Sequence, residues 1–448
     1  MMFKKVLIAN RGAVAARVLR ALNKLNIPSV AVYSEADAKA PYLAEASETR
    51  LIGPAQARDS YLNVDALLHA VEQTGADAVH PGYGFLSENV TFSHALHDIG
   101  VTFIGPSPHW VENMGDKVKA RTMMASHGLP MGAGSDVLST NENDILAAAR
   151  KIGYPLLIKA AGGGGGIGIQ PVNDETKLLK TVERARALAL RTFSNDEVYF
   201  EKLLEKPRHV EFQVLGDKNG KVRTIFERDC SVQRRYQKVL EEAPAPNIPR
   251  EQLDGLAATI EKALTDMGYD NIGTVETLRG ADGSFNFLEM NTRLQLEHGI
   301  TEEITGIDLV AAQIRSAAGH AVDDILPATI ERRGHAIEAR VYAEDPVKFF
   351  PSPGPLNAYR PPFGMTGIRI DTGYAEGQEI TPFYDPMMAK VIAHGADRDQ
   401  AIARLKEALQ NFVIDGVKHN ILFLIKVLDS EEFISGDLHT GLTANLTS

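Results

Sequence analysis

Glu289-Met290-Asn291-Thr292-Arg293-Leu294-Gln295-Leu296-Glu297 alternates polar and mostly apolar residues. Extended backbone sends successive side chains to opposite faces. The pattern therefore predicts a strand with two carboxylates, two amides and a guanidinium on one face. A solvated edge strand would read the same way. Just upstream, however, Phe285, Phe287 and Leu288 are apolar on both faces, which reads as burial. A buried carboxylate needs a cation or strong hydrogen bonds, so the stretch is a candidate catalytic surface.

Further upstream, Gly273-Thr274-Val275-Glu276-Thr277-Leu278 is β-prone, and Asp282-Gly283 is a type I′ hairpin signal. A two-residue loop there sets Glu276 opposite Glu289 and Thr274 opposite Asn291. Facing like charges are destabilising. A hard divalent cation resolves the conflict, with Glu276, Glu289 and Asn291 as oxygen ligands, and Mg²⁺ commonly takes one or two carboxylates plus substrate phosphates. The alternative is an exposed hairpin with two solvated acids.

The 448-residue chain is long enough for two to four domains. Its 44% hydrophobic and 23% charged content is that of a soluble globular protein. A net charge of −11 argues against nucleic acid as the main partner. The single cysteine, Cys230, excludes an intrachain disulfide and fits a reducing compartment; a structural thiol is the default reading. The N-terminal apolar run is too short for a signal peptide, and no stretch is long enough to span a membrane. A cytoplasmic protein is expected.

Phe3–Ala9, Val30–Tyr33, Ala76–His80 and Val101–Ile104 read as strands, with helical patterns at Ala13–Leu25 and Val64–Gln73 between them. Such alternation predicts a doubly wound domain. The first turn, Asn10-Arg11-Gly12, lacks a dinucleotide fingerprint. A middle region mixes strands with helices near Glu183–Arg191 and Gln252–Met267, and Asp308 can cap a helix ending near Gly319. Ala321–Arg333 reads as a linker. Ala336–Tyr342 opens a strand-rich remainder that ends in helices near Gln400–Phe412 and Ile421–Leu428.

Pro155–Ala160 reads as a strand ending in Lys159 and followed by five glycines, Gly162–Gly166. Glycine is entropically costly to order, so the run points to close backbone approach and bare N–H groups for phosphate oxygens. No Lys-Ser/Thr closes it, so it is not a Walker A loop; a lid over phosphates fits better than a linker. Lys117 is a further phosphate candidate. Val198–Leu204 resembles a strand and hinge whose backbone can read an adenine edge. A lone histidine such as His209 is usually structural.

Taken together, Ala9-Asn10-Arg11-Gly12, His80-Pro81-Gly82-Tyr83-Gly84-Phe85-Leu86-Ser87-Glu88-Asn89, Met114-Gly115-Asp116-Lys117, the glycine run, Glu227–Arg235, Glu241-Glu242-Ala243-Pro244 and Glu289–Arg293 resemble the biotin carboxylase component of biotin-dependent carboxylases, an ATP-grasp family. The resemblance covers nearly the whole chain. It implies an α/β and α+β architecture: an N-terminal doubly wound (pre-ATP-grasp) domain over 1–115, a central ATP-grasp domain over 116–320 with a glycine-rich lid near 132–203, and a mixed, strand-rich C-terminal domain over 334–446. The implied reaction is ATP-dependent carboxylation of biotin by bicarbonate, through carboxyphosphate, as the first half-reaction of an acyl-CoA carboxylase, with acetyl-CoA the expected acceptor. Lys117, Lys159, Gly164, Gly165, Gly166, Glu201, Lys202, Leu203, Leu204, His209, Tyr236, Glu276 and Glu289 would surround ATP. Glu276, Glu289 and Asn291 would hold Mg²⁺ or Mn²⁺. Lys238, Arg293, Gln295 and the Leu296 backbone would cradle bicarbonate, Glu297 would be the general base, and Arg340, with Tyr83 nearby, would face biotin. A guanidinium fork suits a planar anion, and a carboxylate beside an arginine stays ionised and ready to accept a proton.

The chain departs from the family pattern at Ile167, where a basic residue is usual in the glycine loop, and at Gly299, where proline is usual. Ala13 replaces a common acid and Tyr236 a common histidine. Two alternatives follow: an ATP-grasp ligase acting on another carboxylate, and a nucleotide-binding regulatory homologue without turnover. No Met-Lys-Met biotinylation sequence occurs, and Lys390 in Met387-Met388-Ala389-Lys390 is a poor substitute. A biotin carboxyl carrier and a carboxyltransferase on other chains are therefore expected, and the resemblance implies a homodimer.

Overall fold

The computed structural model describes residues 2–162, 169–193 and 195–446. Val6–Ile8 (β1), Ser29–Ser34 (β2), Glu48–Gly53 (β3), Ala78–His80 (β4) and Thr102–Phe103 (β5) form one sheet in the order β3-β2-β1-β4-β5. Every ladder in it is parallel. Parallel neighbours need crossovers, which helices Gly12–Lys24, Val64–Thr74 and Val90–Asp98 provide. This is the expected doubly wound sheet.

Leu156–Ala160 (β6), Gln170–Val172 (β7) and Val198–Lys202 (β8) make a separate three-stranded sheet. Ile145, Ile158, Val182 and Phe200 give it a small core of its own. Next come Arg208–Gly216 (β9), Val222–Arg234 (β10), Gln237–Ala243 (β11), Asn271–Arg279 (β12), Phe285–Asn291 (β13) and His335–Tyr342 (β14). They are followed by Gly354–Pro355 (β15), Ala358–Arg360 (β16), Ile368–Thr372 (β17), Glu379–Ile380 (β18), Met387–Gly395 (β19) and Val413–Asp415 (β20). Strand β15 pairs with β18 and β16 with β20. The rest form one eight-stranded sheet, β13-β12-β9-β10-β11-β14-β19-β17, continuous from the middle of the chain into its last quarter.

The two faces of this sheet differ because its strands alternate. Along β9, Val210, Phe212 and Val214 turn to the core formed with Leu253, Ile260 and Leu264 of helix Arg250–Met267. His209, Glu211 and Gln213 take the other face and are also buried. Farther along, Val341, Val391, Leu405 and Leu424 build the C-terminal core.

The hairpin between β12 and β13 differs from the expected turn in an instructive way. Its loop is Ala281–Gly283, one residue longer than the predicted pair, with Gly283 at φ +84° and Arg279 opposite Phe285. Three-residue loops of this kind place glycine in the left-handed position. A bulge between Glu276 and Thr277 then shifts the register back, so that Glu276 does stand opposite Glu289 and Thr274 opposite Asn291. The predicted linker also contains a short helix, Val322–Ile325.

Candidate active site

The polar alternation that begins at Glu289 stays in a strand only as far as Asn291. This corrects the reading of an unbroken strand to Glu297. The N–H of Thr292 donates to Glu88 Oε1 (3.1 Å), and Arg293 Nε donates to Glu88 Oε2 (2.8 Å). A side chain from the N-terminal region thus takes the donor that a further strand would have used. Glu297 lies just before helix His298–Thr305, at φ −80° and ψ 9°.

Register aligns one row of charge across the sheet. Glu289 faces Glu276, Glu276 faces Glu211, and Glu211 faces Arg228. Lys238, on β11, reaches over this row. Its Nζ lies 2.6 Å from Glu211, 2.9 Å from Glu276 and 2.6 Å from Glu297. One ammonium therefore bridges three carboxylates. Burial disfavours its charge, but Glu211, Glu276 and Glu297 outweigh burial and raise its pKa well above the usual lysine range.

Glu297 is 0% exposed. Its second oxygen lies 3.2 Å from Arg340 Nη2. Burial alone would push its carboxyl up; Lys238, Arg340 and Arg228 overcome that and hold it well below the usual carboxylate range. Glu276 is held low in the same way, burial being outweighed by Lys238 and His209. Arg340 also pairs with Glu241 at 2.6 Å. Glu241 stands directly opposite Glu338 in the β11–β14 ladder. Burial drives these two acids up, to about 8 for Glu241 and about 7 for Glu338, although Arg340 pulls both down and Lys390 pulls Glu338 down.

The residues expected to hold a dication are brought together. Asn291 Nδ2 and Gln295 Nε2 both donate to Glu276 Oε1, at 3.0 and 2.9 Å. Glu289 pairs with Lys117 at 2.9 Å, and Arg293 Nη2 donates to Asn291 Oδ1. Two carboxylates and an amide oxygen are hard donors of the kind Mg²⁺ prefers, and cationic side chains already gather at these oxygens. The residues present fit that ion.

Of the other expected positions, Lys159 and Glu201 form a buried ion pair, and Arg121 Nη1 also reaches Glu201 at 3.2 Å. Lys202 donates to the carbonyls of Gly153 and Tyr154, and the N–H of Leu203 donates to Pro155 O. Their donors thus brace the small sheet. Leu204 directly follows this braced segment. Tyr236 is 55% exposed at the tip of the β10–β11 hairpin, beside Arg235. Both have positive φ, as a type I′ turn requires. Burial, with Glu338 and Asp371 adding, raises the Tyr83 phenol well above its usual range. Gly164–Gly166 and Ile167 lie outside the described residues.

Sequence reasoning assigned no site role to Glu88, Arg228, Glu241 or Lys390, although it named them, and it passed over Glu211. A signal existed for Glu211, since His209, Glu211 and Gln213 alternate with apolar residues just as Glu289–Glu297 does. Cys230 Sγ lies 3.9 Å from Glu297 Oε1. Burial, reinforced by Glu211, pushes its thiol pKa well up, which keeps it protonated and poorly nucleophilic.

Residues 2–111 match "Biotin carboxylase, N-terminal domain", residues 116–325 "Carbamoyl-phosphate synthase L chain, ATP binding domain" and residues 338–445 "Biotin carboxylase C-terminal domain". The chain is 47% identical to a biotin carboxylase of Halalkalibacterium halodurans, over 99% of this chain and 98% of that one. It is 46% identical to a pyruvate carboxylase subunit of Methanothermobacter thermautotrophicus, over 98% of this chain and 89% of that one. Its structure superposes with a TM-score of 0.95 on the biotin carboxylase domain dimer of Hydrogenobacter thermophilus 2-oxoglutarate carboxylase in complex with MgADP, ADP and bicarbonate, at 41% identity over 99% of this chain and 98% of that one. No helix among the described residues is long and apolar enough to cross a membrane. Three family matches in sequence, a full-length relative and the shared fold agree, and the chain belongs to the biotin carboxylases, ATP-dependent ligases with an ATP-grasp core.

Proposed function

We propose that this chain uses ATP and Mg²⁺ to activate bicarbonate as carboxyphosphate and carboxylates the ureido nitrogen of biotin on a separate carrier protein. The observation that carries the reading is the state of Glu297: buried, ionised and held between Lys238 and Arg340. In this reading Arg293, Lys238 and Gln295 grip the anion, and Glu297 takes its proton, so that a bicarbonate oxygen attacks the terminal phosphorus as ADP leaves. Glu276, Glu289 and Asn291 would hold the metal, which neutralises phosphate charge. Lys117, Lys159, His209 and the glycine loop would bind the nucleotide, since phosphoryl transfer relies on positioning and charge neutralisation. Arg340 would stabilise negative charge on the biotin ureido oxygen, with Tyr83 beside it.

A homodimer in the cytoplasm is part of the same proposal. It is supported by the dimer of the Hydrogenobacter relative and by a single cysteine in the whole chain. The acyl acceptor belongs to the carboxyltransferase, and relatives of this chain serve more than one: the Methanothermobacter relative, at 46% identity, is part of a pyruvate carboxylase. Bicarbonate-dependent ATP turnover stimulated by free biotin tests the reading. Turnover indifferent to biotin points to another ligase, and nucleotide binding without turnover to a regulatory homologue.

A further inference from the structure

Lys390 is only 1% exposed, although lysine is almost never fully buried unless paired. On β19 it stands directly opposite Arg340 on one side and Asp371 on the other. A lysine facing an arginine across a buried ladder is a like-charge neighbour, so its burial needs a specific compensation. Two acids contribute: Glu338 Oε2 lies 3.3 Å from its Nζ and Asp371 Oδ2 3.6 Å. Its shortest contact is with neither. The ammonium donates to the main-chain carbonyl of Leu296 at 2.5 Å.

That carbonyl belongs to the peptide leading into Glu297, which sits between strand and helix where no ladder fixes the backbone. The preceding carbonyl, Gln295 O, lies 2.7 Å from His298 Nδ1. Two consecutive peptides are thus pinned by side chains, one of them a charge. Asp371, the anchor on the far side of Lys390, is itself held by Arg369 at 2.9 Å and Arg20 at 2.5 Å. The lysine therefore has little freedom to follow Leu296 if the loop shifts.

We infer that Lys390 is a positioning residue for the general base: by gripping Leu296 O it fixes the peptide from which Glu297 projects toward Lys238 and Arg340. Enclosed between Leu296, Glu338 and Asp371, it acts through the loop. A charge-assisted hydrogen bond is about twice as strong as a neutral one, which suits a contact meant to hold a loop against a reacting anion.

The inference rests on the activity proposed above, so the wild-type chain assayed alongside separates failure of that reading from failure of this one. The variants are Lys390→Met, Glu338→Gln and the two combined, all assayed at pH 8, where Glu338 is ionised and the combined variant removes one charge of each sign. Bicarbonate-dependent ATP turnover, KM for bicarbonate and for ATP, and Tm are measured. Lys390→Met is expected to lower kcat at least tenfold and raise KM for bicarbonate, with KM for ATP within twofold of wild type. The double variant should recover Tm but not kcat. Recovery of kcat to within twofold of wild type in the double variant would show that Lys390 only neutralises buried acids and would overturn the inference. Failure of the charge-balanced double variant to fold would also overturn it, because the lysine would then serve the fold alone.

Discussion

Lys238 Nζ lies 2.6 Å from Glu297 Oε1, and the same ammonium also holds Glu211 and Glu276. The proposed base and a proposed metal ligand therefore share one counter-ion. A charge change at either acid redistributes Lys238 toward the others, so the acids of this site are not independent.

Glu297→Gln follows directly. The amide cannot take a proton, while Lys238 keeps Glu211 and Glu276, and Arg340 keeps Glu241. Lys238 is left with two carboxylate partners. Arg340 is left with Glu241, which becomes a full counter-ion only as it ionises near pH 8. The variant is therefore compared with wild type at pH 8 or above, where the large loss seen when a buried pair is broken one-sidedly does not apply. Bicarbonate-dependent turnover should fall by about 10² or more, in the range general-base removal produces. Nucleotide affinity, read by direct titration, should stay within about threefold of wild type. Unchanged turnover would reject Glu297 as the base.

Glu276 and Glu289 face each other but are held differently, and their amides should separate metal binding from folding. Glu289 has Lys117 as its ion-pair partner and a side chain 24% exposed. Glu276 is buried among Lys238, His209, Asn291 and Gln295. Glu289→Gln should raise the Mg²⁺ concentration for half-maximal turnover about tenfold or more, with Tm nearly unchanged. Glu276→Gln should do the same and also lower Tm. Equal Tm losses in the two variants would contradict this division.

Much of this site could be read from the chain, but for uneven reasons. The Glu276–Glu289 pairing was legible from the Asp282-Gly283 turn signal, because turn geometry sets the register of a hairpin. The predicted two-residue loop was nonetheless short by one, and a bulge compensated for it. Arg293, Gln295 and Glu297 do share the site, yet a loop places them there, and nothing local reveals that Glu88 ends the strand. Lys390 was hidden for a different reason. In Met-Met-Ala-Lys it stands out only as a poor match to a biotinylation sequence, and the pairing of β14, β19 and β17 is what shows it to be enclosed.

The buried titratable groups give stability a defined dependence on pH. Glu241 and Glu338 are raised from 4.5 to about 8 and about 7. Above pH 4.5 they keep protons that the unfolded chain has lost, so they reduce stability as pH rises until both have ionised. His80 and His298 are lowered from 6.5 to about 3, burial being the main cause in each. Below pH 6.5 the unfolded chain binds protons that they refuse, so they add stability as pH rises toward 6.5. The two effects oppose each other between about pH 4.5 and 6.5, and only the acids act above that. Tm should therefore decline from about pH 6.5 to pH 8. Glu338→Gln should remove a substantial part of that decline. A decline of the same size in the variant would show that Glu338 does not carry the proton.

Gly299 offers the sharpest test of packing beneath Glu297, the proposed base. It lies in the first turn of helix His298–Thr305, where an added Cβ would strike Ile392 Cδ1 and approach Glu338 Oε2 at 3.4 Å. Ile392 is wholly buried on β19 and packs with Ile300 and Ile304 of that helix. Two opposing terms decide Gly299→Ala. Alanine gains roughly 0.5–1 kcal/mol over glycine inside a helix, whereas overpacking a filled core costs about 1–3 kcal/mol. The overpacking should win, and Gly299→Ala should lower Tm. In an Ile392→Val background the clashing methyl is gone, so the same substitution should be neutral or stabilising. The double-mutant cycle isolates this coupling because the two side chains are in contact. Additive effects of the two substitutions on Tm would mean that Ile392 does not fill the space beside Gly299. Because Glu297 immediately precedes this helix, Gly299→Ala should also slow bicarbonate-dependent turnover, and the Ile392→Val background should relieve that loss together with the loss of stability.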